Sequence, residues 1–156
     1  MSSEKLAFVS FKPQDGNFVG LLSMDSVISE EIDLEVALGN AAKIYERSII
    51  KMGSILGEIR DGRANHKPIP ARKIWQIGQL IFQLRSQLER LSLQLDGLYN
   101  HLVRDLGVKR KWLEKVIILR RYIPDKEMIP KPLNWGRCEK GTRRIALKLT
   151  KGLPLD

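Results

Sequence analysis

At 156 residues, 43% of them apolar and with a net charge of +9, the chain is long enough for one domain with a real core and too apolar for wholesale disorder. A single cysteine, Cys138, excludes an internal disulfide and a multi-cysteine zinc site, and an aromatic content of 6% argues against a large stacking surface for single-stranded bases. No apolar run approaches the roughly eighteen residues of a membrane span, and "MSSEKLAFVSF" is too short and too weakly apolar for a secretory leader, so a soluble cytoplasmic protein is expected.

Residues 6–22, "LAFVSFKPQDGNFVGLL", read as two short strand-like runs about the turn residues "KPQDGN", hence a β-hairpin or an arm. A helix is expected from "SEEIDLE", with Ser29 as N-cap and the following acids suited to the positive end of its dipole. Apolar residues then recur in steps of three and four at Leu34, Leu38, Ala41, Tyr45, Ile49, Met52, Leu56 and Ile59. "RDGRANHKPIP" is expected to end this helix and link it to the next, which starts near Pro70–Lys73.

The second helix carries Ile74, Ile77, Ile81, Leu84, Leu88, Leu91 and Leu95, a heptad seam that extends in step to Leu98 and Leu102. Such a seam demands a helical partner. The preceding helix, folded back as an antiparallel hairpin, is the cheapest; a homodimer or a partner protein on the Ile74–Leu95 seam is the alternative. Asp96-Gly97 predicts a bend within the repeat. Beyond Pro124, "PDKEMIPKPLNW" reads as an extended connector, and "RRIALKL" in the basic tail fits a short helix or a strand equally.

Between these lie "HLVRDLG" and the basic stretch "VKRKWLEKVIILRRYIP". Gly107 can supply the turn of a helix-turn-helix, with Leu102, Leu106, Val108, Leu113 and Val116 at the offsets where such motifs place apolar contacts. Val103 stands where the motif favours Ala or Gly. On a helical wheel Trp112, Val116, Leu119 and Ile123 form a core stripe, and Lys111, Lys115, Ile118 and Tyr122 lie opposite. Lysines early in a helix oppose its dipole, but near phosphates both they and the helix end become favourable.

Up to His66 there are 7 Lys/Arg against 10 Asp/Glu; from Lys67 onward there are 20 against 8. A basic half of this kind fits a polyanion partner, nucleic acid first. Arg110, Lys111, Lys115 and Tyr122 are the expected contacts, with Arg120, Arg121, Arg137, Arg143 and Arg144 tracking phosphates, and DNA favoured over RNA.

The motifs "WQIG" (Trp75–Gly78), "HLVRDLG" (His101–Gly107), "LRRYIP" (Leu119–Pro124) and "PLNW" (Pro132–Trp135) give residues 35–147 a resemblance to a known family. The stretch resembles the helical N-terminal domain of bacterial proteins assigned as PD-(D/E)xK nucleases, first catalogued as a domain of unknown function. That family has a longer stretch before the basic helix and a "Y-G-K" segment that is missing here. The resemblance implies a winged or helix-turn-helix-like DNA-binding role, with nuclease chemistry belonging to a separate module.

No chemistry of the chain's own is expected. His66 and His101 have no ligand-spaced Cys or acid, neither "GxxxxGK[ST]" nor "GxGxxG" occurs, and "HLVRD" lacks the other parts of a kinase site. Asp105 and Glu114 read as partners of Arg104, Lys111 and Lys115, and Cys138 as an inert thiol. The sequence therefore predicts a mainly α chain: a long antiparallel helical hairpin, then a helix-turn-helix-like unit, with a short N-terminal β-hairpin or arm. Its segments are 1–28 (arm), 29–66 (acidic first helix and loop), 67–124 (heptad helix and helix-turn-helix-like unit) and 125–156 (connector and basic tail), with 28–150 as one folded domain. The function expected is non-catalytic nucleic-acid binding without a cofactor, the alternative a helical accessory subunit of a larger complex.

Overall fold

The computed structural model describes residues 7–11, 20–24, 34–91 and 93–155. Its described core is all-α and comes from six helices and their connections: α1 (Leu34–Ala64), α2 (Ala71–Arg90), α3 (Leu98–Leu106), α4 (Arg110–Tyr122), α5 (Trp135–Glu139) and α6 (Thr142–Thr150). The chain divides into two compact units, each assembled from separate stretches: residues 1–50 with 82–107, and residues 51–81 with 108–156. No helix among the described residues is long and apolar enough to cross a membrane.

The fold class expected from the sequence is corrected to an all-α bundle: the buried residues described come from the six helices and the connections between them. Among the described residues, extended backbone pairs at Ala7–Phe11, Gly20–Met24 and Leu93–Asp96, and in one isolated bridge between Pro70 and Asn134. The third of these comes from the stretch given above to the heptad helix. α2 stops at Arg90, and a new helix restarts at Leu98 after Gly97, whose φ of 69° is left-handed. The physical reason is a double periodicity: Leu88, Leu91 and Leu95 keep the helical step, while Leu91, Leu93 and Leu95 keep the period of two that a strand uses. The "KPQDGN" turn and the Ser29 cap lie outside the described residues.

Within α1 the expected stripe buries Ala41, Tyr45, Met52, Leu56 and Ile59, while Ile49 is half-buried. Ser48 goes inside instead, its hydroxyl donating to the Ile44 carbonyl at 2.9 Å one turn back. α1 runs through Gly62 and ends at Ala64, inside the "RDGRANHKPIP" stretch expected to end it. The Lys67 amide bonds the Gly62 carbonyl at 2.8 Å and the His66 amide the Arg63 carbonyl at 3.0 Å, with His66 at φ 58°. That is a Schellman cap with a histidine in the position glycine usually holds. Along α2, Ile74, Ile77, Ile81, Leu84 and Leu88 are 0–2% exposed, so these five residues of the seam are covered within a single chain, while Leu91 is half-buried.

In the first unit, α3 buries Leu102 and Leu106. The Tyr45 hydroxyl donates to the Asp105 carboxylate at 2.6 Å, and Arg104 Nε reaches the same carboxylate at 3.2 Å. Gly107 follows α3 at φ 67°, its amide bonded to the Val103 carbonyl. The left-handed turn before α4 is thus a glycine requirement, as expected of this residue.

In the second unit α2 and α4 cross at Gly78. A Cβ built there would lie 2.7 Å from Arg120 Cβ and 3.1 Å from the Val116 carbonyl oxygen, so only glycine permits the approach. The Trp75 indole donates to the Ile123 carbonyl at 2.7 Å and fastens the end of α4. The connector after α4 contains a 3₁₀ turn, Lys126–Met128, and then straps the start of α2: Ala71 N–H bonds Leu133 O at 3.0 Å, Trp135 N–H bonds Ile69 O at 2.7 Å, and Arg72 Nε bonds Ile129 O at 2.6 Å. Asn134 caps α5, its side-chain oxygen accepting from Arg137 N–H at 3.0 Å, which gives "PLNW" a structural role. "RRIALKL" is helical: α6 buries Thr142, Ile145 and Ala146 and packs along α4, where Thr150 Oγ1 donates to the Tyr122 carbonyl at 2.9 Å.

Candidate nucleic-acid interface

α4 buries Leu113, Val116, Ile117 and Leu119, with Ile123 just beyond it. Trp112, expected in the core stripe, is only half-buried; Leu113 takes the central place on that side. Lys109 at the N-cap offers no side-chain hydrogen bond, and the first turn has no acidic residue. The orphan amides and positive dipole end therefore coincide with Arg110 and Lys111.

The nine candidate side chains fall into separate groups. Lys111 is exposed and Lys115 half-exposed one turn later. Arg110 is exposed and lies 3.5 Å from Glu114 in an i, i+4 ion pair that is weak at a wet surface. Arg121 is exposed. Tyr122 is half-buried, with the Arg143 guanidinium 5.7 Å from its ring centroid, within cation–π range, and Arg144 is exposed beside Arg143. Arg137 is exposed on α5.

Arg120 departs from expectation. Its Nε donates to Gln79 Oε1 at 2.5 Å, its guanidinium stands 5.4 Å over the Trp75 ring, and burial lowers its pKa. These contacts place its side chain at the α2–α4 crossing. Lys148 and Lys151, absent from the sequence-based set, share a surface groove on α6 with Arg143 and Arg144. Their signal was present: Arg144, Leu147, Lys148 and Lys151 follow i, i+3, i+4, i+7, which puts them on one face once "RRIALKL" is a helix.

Asp105 answers Tyr45 and Arg104, not a second carboxylate. Cys138 is fully buried, and desolvation pushes its thiol up to about 11 against the opposing pull of Arg137. Among the described residues no group of three or more His, Cys, Asp or Glu is placed to hold a metal ion.

Compared with protein-family models, with curated proteins and with solved structures, the chain finds no match.

Proposed function

We propose that this chain is a non-catalytic nucleic-acid-binding protein that takes duplex DNA, with the exposed side of α4 entering the major groove in the manner of a helix-turn-helix. The observation that carries the reading is the distribution of charge between the two units. The unit of residues 51–81 and 108–156 has 20 Lys/Arg against 7 Asp/Glu, hence +13; the other has 7 against 11, hence −4. A field concentrated on one unit is the electrostatic footprint of a polyanion partner. The family resemblance described above leads to the same role. The α2 part of the seam, Ile74 to Leu88, is a poor docking surface because its side chains are already covered, so a coiled-coil dimer is not part of this reading.

A mobility-shift series with labelled duplex DNA, single-stranded DNA and RNA tests the proposal. Duplex DNA is expected to bind tightest, with affinity falling steeply between about 50 and 200 mM salt as counterions are released. Duplex affinity that is flat across that range overturns the reading; a preference for RNA overturns its choice of DNA.

A further inference from the structure

Leu147 and Leu153 are large apolar side chains left 37% and 50% exposed. Both line one groove of about 470 Å³, whose other walls are Arg143, Arg144, Lys148 and Lys151. The backbone explains how the two leucines meet. Leu153 N–H bonds the Lys148 carbonyl at 2.9 Å and Gly152 N–H bonds the Leu149 carbonyl at 3.2 Å, with Gly152 at φ 69°. This Schellman cap turns the chain back so that the residue after the glycine lies over the last full turn of α6. The cap accounts for the apolar pair but not for its surroundings. There is no acidic residue between Glu139 and Asp156, and none of the four cations has an ion-pair partner among the described residues.

We propose that this groove docks an acidic amphipathic segment of a partner protein, one large apolar side chain seated on Leu147 and Leu153 and flanking carboxylates on the four cations. The occupant is argued from complementarity. An apolar floor within a cationic rim matches an apolar knob within an anionic flank. A nucleic-acid strand matches it less well: no aromatic ring lines the groove for a base to stack on, and a leucine floor answers none of the polar groups on a base edge.

The test is selection from a displayed library of random peptides on the full chain, followed by fluorescence anisotropy with the enriched peptide made synthetically. Enriched peptides are expected to carry Asp or Glu around Leu, Ile, Phe or Trp. Their affinity should fall about tenfold or more in Leu147→Ser, and likewise in Arg144→Ala with Lys148→Ala, as for hot-spot contacts. Leu147→Ser should remain folded, its thermal midpoint lowered by a few degrees at most for the lost part-buried apolar contact, and should keep the parent's duplex-DNA affinity, which separates this proposal from the nucleic-acid reading. Failure to enrich peptides, enrichment of peptides lacking either acids or apolar residues, binding unaffected by Leu147→Ser, or equal binding of a polyglutamate peptide or of anionic lipid vesicles would each overturn it.

Discussion

Trp75 and Trp135 are both buried, yet their indole N–H groups have opposite fates. Trp75 donates to the Ile123 carbonyl and carries Arg120 over its face; Trp135 Nε1 finds no hydrogen-bond partner among the described residues. Replacing Trp75 by Phe removes the donor from a buried carbonyl and weakens the cation–π contact, whereas Trp135→Phe removes an unsatisfied N–H along with ring volume. Trp75→Phe is therefore expected to cost about 1–3 kcal/mol more than Trp135→Phe in urea denaturation. "WQIG" and "PLNW" mark both tryptophans in the sequence, but which one finds a carbonyl depends on where α4 ends, and no local pattern carries that. Cys138 shows the same gap between neighbours in sequence and surroundings in space. Burial raises its thiol pKa from 9.0 to about 11, against the opposing pull of Arg137 alone. Between pH 9 and 11 the folded chain holds a proton that the unfolded chain gives up, so stability falls as pH rises through that window and is unaffected below it. Cys138→Ala should lack this part of the alkaline loss, and iodoacetamide should alkylate the native thiol far more slowly than the unfolded one at about pH 8.

At the level of elements, the apolar stripes of α1, α2 and α4 were legible because steps of three and four have one meaning over many turns. Element ends were less so, because they depend on backbone geometry that different residues can supply. α1 and α6 stop with the same Schellman geometry, but α1 places His66 at the left-handed position and α6 places Gly152 there. A side chain with a Cβ is strained at positive φ and glycine is not. His66→Gly is accordingly expected to stabilise the chain by about 1 kcal/mol and Gly152→Ala to destabilise it by a similar amount. Paired thermal melts check both signs. Equal effects in the two variants would mean that the caps do not set the ends of these helices. The stop of α2 was hidden for a different reason: "LSLQLDG" satisfies the helix period and the strand period together, so the heptad could be followed past the residue where the helix ends.

For the whole molecule, the charge asymmetry seen along the sequence becomes sharper in space, because residues 82–107 join the acidic unit and residues 51–66 the basic one. The sequence showed two halves; only folding assigns the pieces. This gives a prediction that separates a local interface from mere net positive charge. Lys111→Ala with Lys115→Ala removes two cations from the basic unit, and Lys43→Ala with Arg47→Ala removes two exposed cations from α1 in the acidic unit. Each double variant lowers the net charge of +9 by the same two charges, so a chain that held DNA by overall charge would lose affinity equally in both. If α4 contacts phosphates, each lost contact takes about 0.9 from the slope of log affinity against log salt. The α4 variant should then flatten that slope by nearly two, and the α1 variant should leave it unchanged. Anisotropy titrations of the two variants against one labelled duplex, at a series of salt concentrations, decide between them; equal slopes would remove α4 from the interface and leave only a diffuse basic surface.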